Sequence, residues 1–271
     1  VYNFGKLGAG NLSVYLNGGI CAGGGTLDWS DGTVGTNDNA YSIAKKASGT
    51  LATNVTGNST SLVASSVYYG LGAGVGYSFL EDKLSASAGV RYVMATRAGE
   101  MEANMKFSSA VVGAWTLDTN YEYTQEARGF TPIFGFDARP IKGLTLGLRY
   151  EMETELEFEW DVDTLDVSAT GGGPLSSNVV AGLKTQLNKD GEKFNQNLPQ
   201  VISFGAEYDF TSAFTMSLQS TVYLINQADL NGMEDDFSTG YEVAVSGRYA
   251  FNEKFLLGGS VMYTESGAKD S

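Results

Sequence analysis

Histidine is absent from the sequence, and cysteine occurs once, at Cys21. Catalytic sites of the Ser-His-Asp, Cys-His and His-Glu-x-x-His types all need an imidazole, so the sequence excludes them. A single cysteine excludes an intrachain disulfide framework and a four-cysteine metal site. No apolar run approaches the roughly 18 residues that a membrane-spanning helix needs. We therefore predict neither a metal centre nor a transmembrane helix.

Basic residues are also scarce: 17 Lys and Arg stand against 31 Asp and Glu, a formal net charge of −14. Binding to a phosphate backbone needs Lys and Arg in excess, so nucleic acid is excluded as a partner. The spacings of the common phosphate-binding glycine motifs are not met either, and we predict no cofactor.

What the sequence has instead is glycine and aromatic residues in long alternating segments. It contains 35 Gly, 15 Tyr and 14 Phe against only four Pro, which is typical of many-stranded β structure. In "YGLGAGVGYSF" (69–79) every odd position is apolar and every even position is Gly or Ser. After the turn "LEDK", the segment from Leu84 to Met94 repeats this scheme. Alternation with a period of two predicts the two strands of a hairpin.

The segment "LTLGLRYEMETELEFEW", from Leu144 to Trp160, alternates for longer still. Its even positions are apolar except at Thr154, and its odd positions include the glutamates from Glu151 to Glu159. One continuous strand of this length would span about 55 Å, more than a tilted strand needs to cross a bilayer. The glutamates predict a solvated face on a strand that protrudes from the membrane; the alternative is a row that binds divalent cations near lipopolysaccharide.

The connections between the predicted strands alternate in length. Short turns fall at "FLEDK", "RPIKG", "FTSAF" and "FNEKF", and aromatic residues gather beside them. Long polar loops are predicted at about 26–65, 96–118, 162–197 and 226–237. About ten strands are predicted, at 1–5, 10–22, 66–80, 83–96, 119–138, 143–161, 198–210, 213–226, 238–251 and 254–266.

Short turns on one side and long extracellular loops on the other are typical of an outer-membrane barrel. We predict an all-β fold, a transmembrane antiparallel up-and-down β-barrel, with residues 1–271 forming one outer-membrane domain of a Gram-negative bacterium. The alternative is a soluble up-and-down barrel or sandwich, whose strands also have one apolar and one polar face.

Four segments resemble successive hairpins of the FadL/TodX (OMPP1) family, especially its Bacteroidetes-type members. They are "YYGLGAGVGYSFLEDKLSASAGVRYVMA", "GFTPIFGFDARPIKGLTLGLRYEMETELEFEWDV", "LPQVISFGAEYDFTSAFTMSLQSTVYL" and "GYEVAVSGRYAFNEKFLLGGSVMYTESGA". The most specific element is "LPQVISFGAEY", in which a Leu-Pro pair opens a strand. The resemblance spans nearly the whole chain.

The resemblance implies a fourteen-stranded barrel with an N-terminal plug that carries long-chain fatty acids or other hydrophobic compounds across the outer membrane. Ligand would be captured among extracellular loops and would leave sideways into the lipid where one strand kinks. The family's plug and its Asn-Pro-Ala segment are absent from this sequence, and its end, "TESGAKDS", lacks a terminal aromatic residue. We therefore expect a piece of a longer chain, with one strand missing before Val1 and three after Ser271.

The glycine run "LNGGICAGGG" (16–25) falls, by order along the chain, on the strand that is kinked in the family. Glycines permit bulges and positive φ, so this run predicts a lateral opening in the wall; the alternative is a simple bend. Lipidation at Cys21 lacks an upstream signal region, and we expect this side chain to be a small packing residue. The residues predicted to form the opening are Gly18, Gly19, Gly23, Gly24 and Gly25.

Candidate ligand contacts lie at the outer end of the fourth predicted strand. Arg97 offers a charged fork to a carboxylate, and Met101, Met105 and Phe107 make the following loop unusually apolar. The even-numbered glycines from Gly70 to Gly76 predict either space for an acyl chain or close packing. Ion pairs inside the barrel are predicted among Arg91, Arg149, Arg248, Glu151, Glu207 and Glu242.

We therefore predict an outer-membrane channel that takes up hydrophobic compounds and is not an enzyme. Its partners would be a long-chain fatty acid or another hydrophobic small molecule, and outer-membrane lipid with lipopolysaccharide. Two alternatives stay open: a FadL-like partner barrel in a larger outer-membrane complex, as in type IX secretion, and a general diffusion porin.

Overall fold

The chain forms a twelve-stranded antiparallel sheet on which two helices pack. A computed structural model describes residues 1–48 and 53–269. The strands are β1 (Tyr2–Leu7), β2 (Gly10–Trp29), β3 (Thr53–Phe79), β4 (Leu84–Ser109), β5 (Gly113–Ala138), β6 (Leu144–Glu151), β7 (Glu157–Gly171), β8 (Lys193–Asn195), β9 (Val201–Asp209), β10 (Phe214–Tyr223), β11 (Gly240–Asn252) and β12 (Phe255–Glu265), and the helices are α1 (Val34–Ser48) and α2 (Gly173–Leu187).

The strands follow one another around the sheet as an up-and-down meander. They pair in the order β1-β2-β3-β4-β5-β6-β9-β10-β11-β12, while β7 pairs with β5 and β8. Within residues 1–48 and 53–269, β1 and β12 are the two ends of this order. The predicted all-β, up-and-down barrel class is confirmed.

The strands beside the predicted long loops run much further than the sequence analysis predicts. β3, β4 and β5 are 27, 26 and 26 residues long. The predicted loop at 96–118 is therefore wrong: it is the far end of the β4–β5 hairpin. The predicted loop at 26–65 contains the end of β2, α1 and the start of β3, and the one at 162–197 contains most of β7, α2 and β8. Only 226–237 lacks strands among these four segments, and it holds two short 3-10 turns.

The two faces of the sheet differ in what they contact. Tyr68 of β3 and Phe158 of β7 meet on one face, with ring centroids 6.3 Å apart, although β4 and β5 lie between their strands. This face is therefore concave and is the inner face of the barrel wall. The opposite, outer face presents large apolar side chains to the surroundings, such as Leu71, which is 56% exposed, and Phe130, which is 62% exposed.

Apolar side chains cover the outer face only over part of its height. From the short turns to about the level of Tyr69, Met94 and Phe130, outward positions are apolar on every long strand; we call this part the lower half. In the upper half, outward positions of β4 and β5 are mainly polar or acidic, as at Glu100, Glu102, Asp118, Glu122 and Glu126. An apolar outer band of limited height is the pattern of a strand wall that crosses a bilayer.

The inner face shows the opposite change with height. In the lower half it carries Gly, Ser and charged residues, whereas in the upper half it carries Met105, Phe107, Trp115, Leu117 and Val167, each at most 5% exposed. α1 and α2 cover this apolar inner surface with Ile43, Leu175, Val179, Val180, Leu183 and Leu187. Among the described residues, neither helix is long and apolar enough to cross a membrane.

The strand predicted at 143–161 is wrong, because it is broken at residues 152–156. β6 pairs with β5 at 133–138, and β7 pairs with β5 at 115–126, so residues 127–132 of β5 lie beside the break. The break changes which positions face inward: Arg149 and Glu151 face inward in β6, whereas Leu156 and Phe158 face inward beyond it. We call residues 152–156 the crossing segment.

The crossing segment passes over the inner surface of β5. Its Thr154 hydroxyl hydrogen-bonds to that of Thr131, and the N–H of Met152 donates to the Pro132 carbonyl at 3.0 Å. A Cβ at Gly129 would lie 2.3 Å from the Glu155 carbonyl oxygen, so only glycine allows this approach. On its other side the segment pairs with residues 196–198, through Thr154 with Leu198 and Leu156 with Gln196.

Candidate ligand-binding site

A cavity of about 560 Å³ lies on the inner face of the upper half, beneath α1 and α2. Met101 and Met105 of β4 line it together with Ile43 of α1 and Leu183 of α2. Ligand pockets usually have volumes of roughly 300–1,000 Å³ and mostly apolar linings, so this cavity suits a small apolar group. We call it the mouth cavity. Its polar lining comes from Ser42, Lys46, Thr60, Thr119, Asn178 and Gln186.

Phe107, predicted as a ligand contact, lies behind the cavity wall. It is 1% exposed and stacks on Trp115 with ring centroids 4.2 Å apart. α2 approaches this pair closely at its start, where Gly172 has φ +71° and a Cβ would lie 3.0 Å from Trp115 Cγ. The hydroxyl of Ser176 donates to the Gly171 carbonyl at 2.6 Å and holds this turn. Phe107 thus supports the cavity and does not line it.

Arg97 lies on the same inner face of β4, four residues and about 13 Å below Met101. Its Nε donates to the Tyr68 hydroxyl at 2.7 Å, Nη2 donates to the same oxygen, and Nη1 donates to Gln196 Oε1. The guanidinium carbon lies 4.1 Å from the centre of the Phe158 ring. In the part of the chain that the structure describes, no carboxylate lies within 4.0 Å of Arg97.

Two tyrosines of β5 complete the surroundings of Arg97 above the apolar band. Burial raises the pKa of Tyr123, and the nearby Arg97 opposes this rise. Burial, together with the neighbouring Tyr123, raises the pKa of Tyr121 to about 12. Both phenols therefore stay neutral at physiological pH and keep their hydroxyl hydrogens. Tyr123 reaches over Gly99, where a Cβ would lie 2.5 Å from its ring.

A buried apolar layer lies just below Arg97, and we call it the septum. Its six buried members come from β3, β4, β5 and β7 with the crossing segment, and Leu156, Phe158 and Val93 are fully inaccessible. Cys21 of β2 packs against this layer and its thiol donates to the Tyr68 carbonyl at 3.4 Å, so it is a packing residue as predicted. The septum consists of Tyr68, Val93, Ala95, Ala127, Leu156 and Phe158.

Below the septum the inner face is polar and charged. Arg91 and Arg149 both bind Glu151, the latter at 2.7 Å, and Arg248 lies 3.6 Å from Glu207. Glu242 differs from the prediction: it accepts a hydrogen bond from the Tyr223 hydroxyl at 3.1 Å and has no ion pair among the described residues. These three arginines thus each have a carboxylate partner, whereas Arg97 is bound to neutral acceptors only.

The glycine run in β2 produces two bulges and no gap in its pairing with β3. The register shifts between Ile20 and Ala22 and again between Gly23 and Gly25, and pairing continues to Trp29. Gly23 and Gly24 have φ of +68° and +93°, which glycine adopts freely. Gly18, Gly19 and Gly25 lie beside the bulges in ordinary strand conformation. The bulges lie opposite Ser66–Tyr69 of β3, at the level of the septum.

The glycines from Gly70 to Gly76 make room for side chains of neighbouring strands. A Cβ at Gly74 would lie 2.4 Å from the Tyr15 hydroxyl oxygen, and one at Gly72 would lie 2.2 Å from Asn17 Oδ1. Arg91 occupies the space beside Gly70 in the same way. These contacts favour the close-packing interpretation over space for an acyl chain.

The glutamates beyond the break lie on the outer face of the upper half. Glu157 and Glu159 are exposed, and Lys193 of β8 lies 3.2 and 3.4 Å from them. These hydrogen bonds and charges raise the pKa of Lys193. This geometry fits the predicted solvated face of a protruding strand.

The chain is similar to the crystal structure of the Ralstonia pickettii toluene transporter TbuX, with a TM-score of 0.55 and 11% identity, over 96% of this chain and 67% of that one. A Pseudomonas aeruginosa FadL homologue aligns with a TM-score of 0.48 and 13% identity, over 79% and 58% of the two chains. The fold is similar to that of the TbuX barrel.

This likeness of fold is shown by structure alone. No protein-family model matches the sequence. No curated protein matches it either. At 11% identity the likeness to the toluene transporter concerns the barrel, not the ligand.

Sequence reasoning found Arg97, Met101 and Met105, which the structure places on one inner face, but it missed Tyr68, Phe158 and Gln196. Tyr68 stands at an even position of the alternating segment, where its neighbours at 70–76 are glycine, and this exception was the available signal. Phe158 stands at an even position like the outward apolar side chains of β6, and only the break at 152–156 turns it inward. Nothing in the sequence around Gln196 indicates its contact with Arg97.

Proposed function

We propose that this chain forms the wall and ligand-binding site of a Gram-negative outer-membrane channel for hydrophobic compounds, with long-chain fatty acids or similar amphipathic acids as its ligands. The observation that carries this proposal is Arg97: a half-buried cation with no carboxylate partner in the described residues, below an apolar cavity. The role is uptake and not catalysis.

The order of the groups along β4 supports a ligand that has an apolar chain and an acidic head group. Met101 and Met105 line an apolar cavity, and the next charged group below it on the inner face is Arg97. A carboxylate could accept two parallel hydrogen bonds from the guanidinium and would neutralise its charge, which a neutral acceptor does not do. The neutral hydroxyl of Tyr123 adds a further donor.

Lateral release at the level of the septum extends the proposal. An apolar chain gains nothing from the lower lumen, whose inner face carries the ion pairs of Glu151 and Glu207. At the septum level the wall has two irregularities: the bulges of β2 and the crossing segment, where β5 loses its regular partner over 127–132. We propose that ligand leaves the barrel sideways there, beside Gly23 and Gly24 or beside the crossing segment.

Binding of oleate and of oleyl alcohol to the full-length protein in detergent tests the ligand class. The two molecules share one chain and differ in the carboxylate. Arg97→Gln is expected to weaken oleate binding by about 10–100-fold, because hydrogen bonds to charged groups contribute roughly 1.5–3 kcal/mol each. Oleyl alcohol binding should stay unchanged.

Arg149→Gln is the matched control, since Arg149 is a lumen arginine whose partner is Glu151 and which lies below the septum. Equal oleate affinity in the parent and in Arg97→Gln would overturn the acidic ligand. Co-purification of a large partner without uptake of labelled oleate by cells would favour the secretion barrel, and steady ion conductance would favour the porin.

A further inference from the structure

We propose that Arg97 is a latch that keeps the septum closed, and that the ligand's own carboxylate opens it. This inference rests on the proposed function, because it concerns the same arginine. It assigns to Gln196, Tyr68 and the crossing segment a role in gating the passage below the mouth cavity.

Arg97 joins several segments of the barrel wall. Its guanidinium donates to Tyr68 on β3 and to Gln196 between β8 and β9, and it lies over the ring of Phe158 on β7. Three segments that are far apart in the sequence thus meet on one side chain of β4. Tyr68 and Phe158 are themselves members of the septum.

Gln196 connects Arg97 directly to the crossing segment. The Gln196 side chain accepts from Arg97, while its backbone N–H donates to the Leu156 carbonyl at 3.0 Å. Leu156 is fully buried in the septum. A neighbouring contact adds to this tie, since Asn197 Oδ1 accepts from the Leu156 N–H at 2.8 Å. Holding Gln196 therefore holds Leu156 in place.

In the latch, the acceptors that bind the Arg97 guanidinium are all neutral. The inward arginines below the septum, Arg91, Arg149 and Arg248, each have a carboxylate partner among the described residues, whereas Arg97 has an amide and a phenol. A carboxylate binds a guanidinium more strongly than an amide does, so an arriving acid displaces Gln196. A neutral ligand with the same chain has no such advantage and leaves the latch closed.

The test measures access to the septum in the full-length protein. Cys21 is replaced by Ala, Ala127→Cys is introduced, and the rate of labelling by a membrane-impermeant maleimide is followed. Ala127 is 5% exposed and belongs to the septum, so its cysteine should react slowly. Oleate should accelerate labelling about tenfold, the effect of losing one hydrogen bond to a charged group. Oleyl alcohol should not.

Two variants separate the latch from the proposed ligand. Gln196→Ala should label fast without any ligand, and Gln196→Glu should label slowly even with oleate, because it gives Arg97 a carboxylate within the protein. Gln200→Ala is the matched control: it removes a nearby glutamine that accepts from the Tyr150 hydroxyl at 2.6 Å and does not contact Arg97.

Each outcome decides one claim. If oleate binds but does not change labelling, or if Gln196→Ala reacts as slowly as Gln200→Ala, the latch is wrong and the proposed function stands. If oleate does not bind, the acidic ligand is wrong, while fast labelling of Gln196→Ala with slow labelling of Gln196→Glu would still support the latch.

Discussion

Gly99 is a residue whose missing side chain shapes the candidate site. It lies on the inner face of β4, between Arg97 and Met101, and the ring of Tyr123 covers it. A Cβ there would lie 2.5 Å from the ring, well inside van der Waals contact. The absence of a side chain at position 99 thus brings the Tyr123 hydroxyl toward Arg97.

Gly99→Ala is expected to destabilise the protein by about 1–3 kcal/mol, the usual cost of overpacking. It should also weaken oleate binding, since Tyr123 must move. Urea unfolding in detergent measures the first effect and calorimetry the second. Gly205→Ala is the control, because a Cβ there has nothing within 4 Å. Unchanged stability in both variants would show that Tyr123 swings aside freely.

Asp82 stabilises an unusual turn between β3 and β4. Leu80, Glu81 and Asp82 have φ of 52°, 56° and 63°, a left-handed run that costs non-glycine residues about 1–2 kcal/mol each. The Asp82 carboxylate accepts hydrogen bonds from Ser78 and, at 2.9 Å, from Asn11 of β2. These bonds, Ser78 first, hold the pKa of Asp82 below its usual value of 3.8.

Because the folded pKa of Asp82 is depressed, its contribution to stability is complete above its unfolded pKa, near 3.8, and is lost as the pH falls through the folded value. The urea midpoint of the parent should therefore fall more than that of Asp82→Asn when the pH is lowered from about 4 to about 2. Hydrogen exchange of the 78–84 turn reports the same loss locally. Parallel pH curves for the two proteins would contradict this role.

At the scale of elements, the break between β6 and β7 shows why part of the fold could not be predicted. Leu148 and Tyr150 face outward in β6, whereas Leu156 and Phe158 face inward beyond the break. At the break the even positions change from the outer to the inner face, and at the same height the apolar face of the wall changes from the outer to the inner one. The even positions therefore stay apolar throughout, and the sequence shows one unbroken alternation.

β4 and β5 do not break, and their sequences record the change of surroundings. In β4 the apolar positions are even up to Met94 and odd from Met101 to Phe107, which interrupted the pattern and produced the incorrect loop at 96–118. In the lower half, one face meets lipid and the other carries small or polar residues, so the strands and short turns were predicted well. Partners far apart in the sequence, such as Gln196 for Arg97, left no periodic signal.

Gly129→Ala tests the course of the crossing segment. A Cβ at this position would lie 2.3 Å from the carbonyl oxygen of Glu155, a backbone atom that cannot rotate away. We expect a loss of about 3 kcal/mol, at the upper end of overpacking costs, and faster labelling of a septum cysteine. Gly135→Ala is the milder control, because its nearest contact is the movable Ser87 hydroxyl. Equal losses would show that the segment does not approach β5.

At the scale of the whole molecule, the lower and upper halves of the wall have opposite distributions of apolar and polar side chains, although the same strands run through both. The lower half is apolar outside and polar inside, as a bilayer requires; the upper half is polar outside and apolar inside, as water requires. The change occurs near Met94 and Phe130, where we expect the upper edge of the membrane on these strands. Under the proposed function, the mouth cavity then lies outside the lipid, and a ligand arriving through water can enter it.

Lysine substitution on the outer face measures this edge. Phe204→Lys, in the lower half of β9, should cost about 2–4 kcal/mol relative to Phe204→Ala in bilayer refolding titrations, because the ammonium group meets hydrocarbon. Asn120→Lys, on the outer face of upper β5, should cost close to nothing relative to Asn120→Ala, since its cross-strand neighbours are Glu102 and Asp166. Similar costs at both sites would mean that lipid covers the upper half as well, and then the mouth cavity would open within the membrane and the ligand would have to enter from the lipid side.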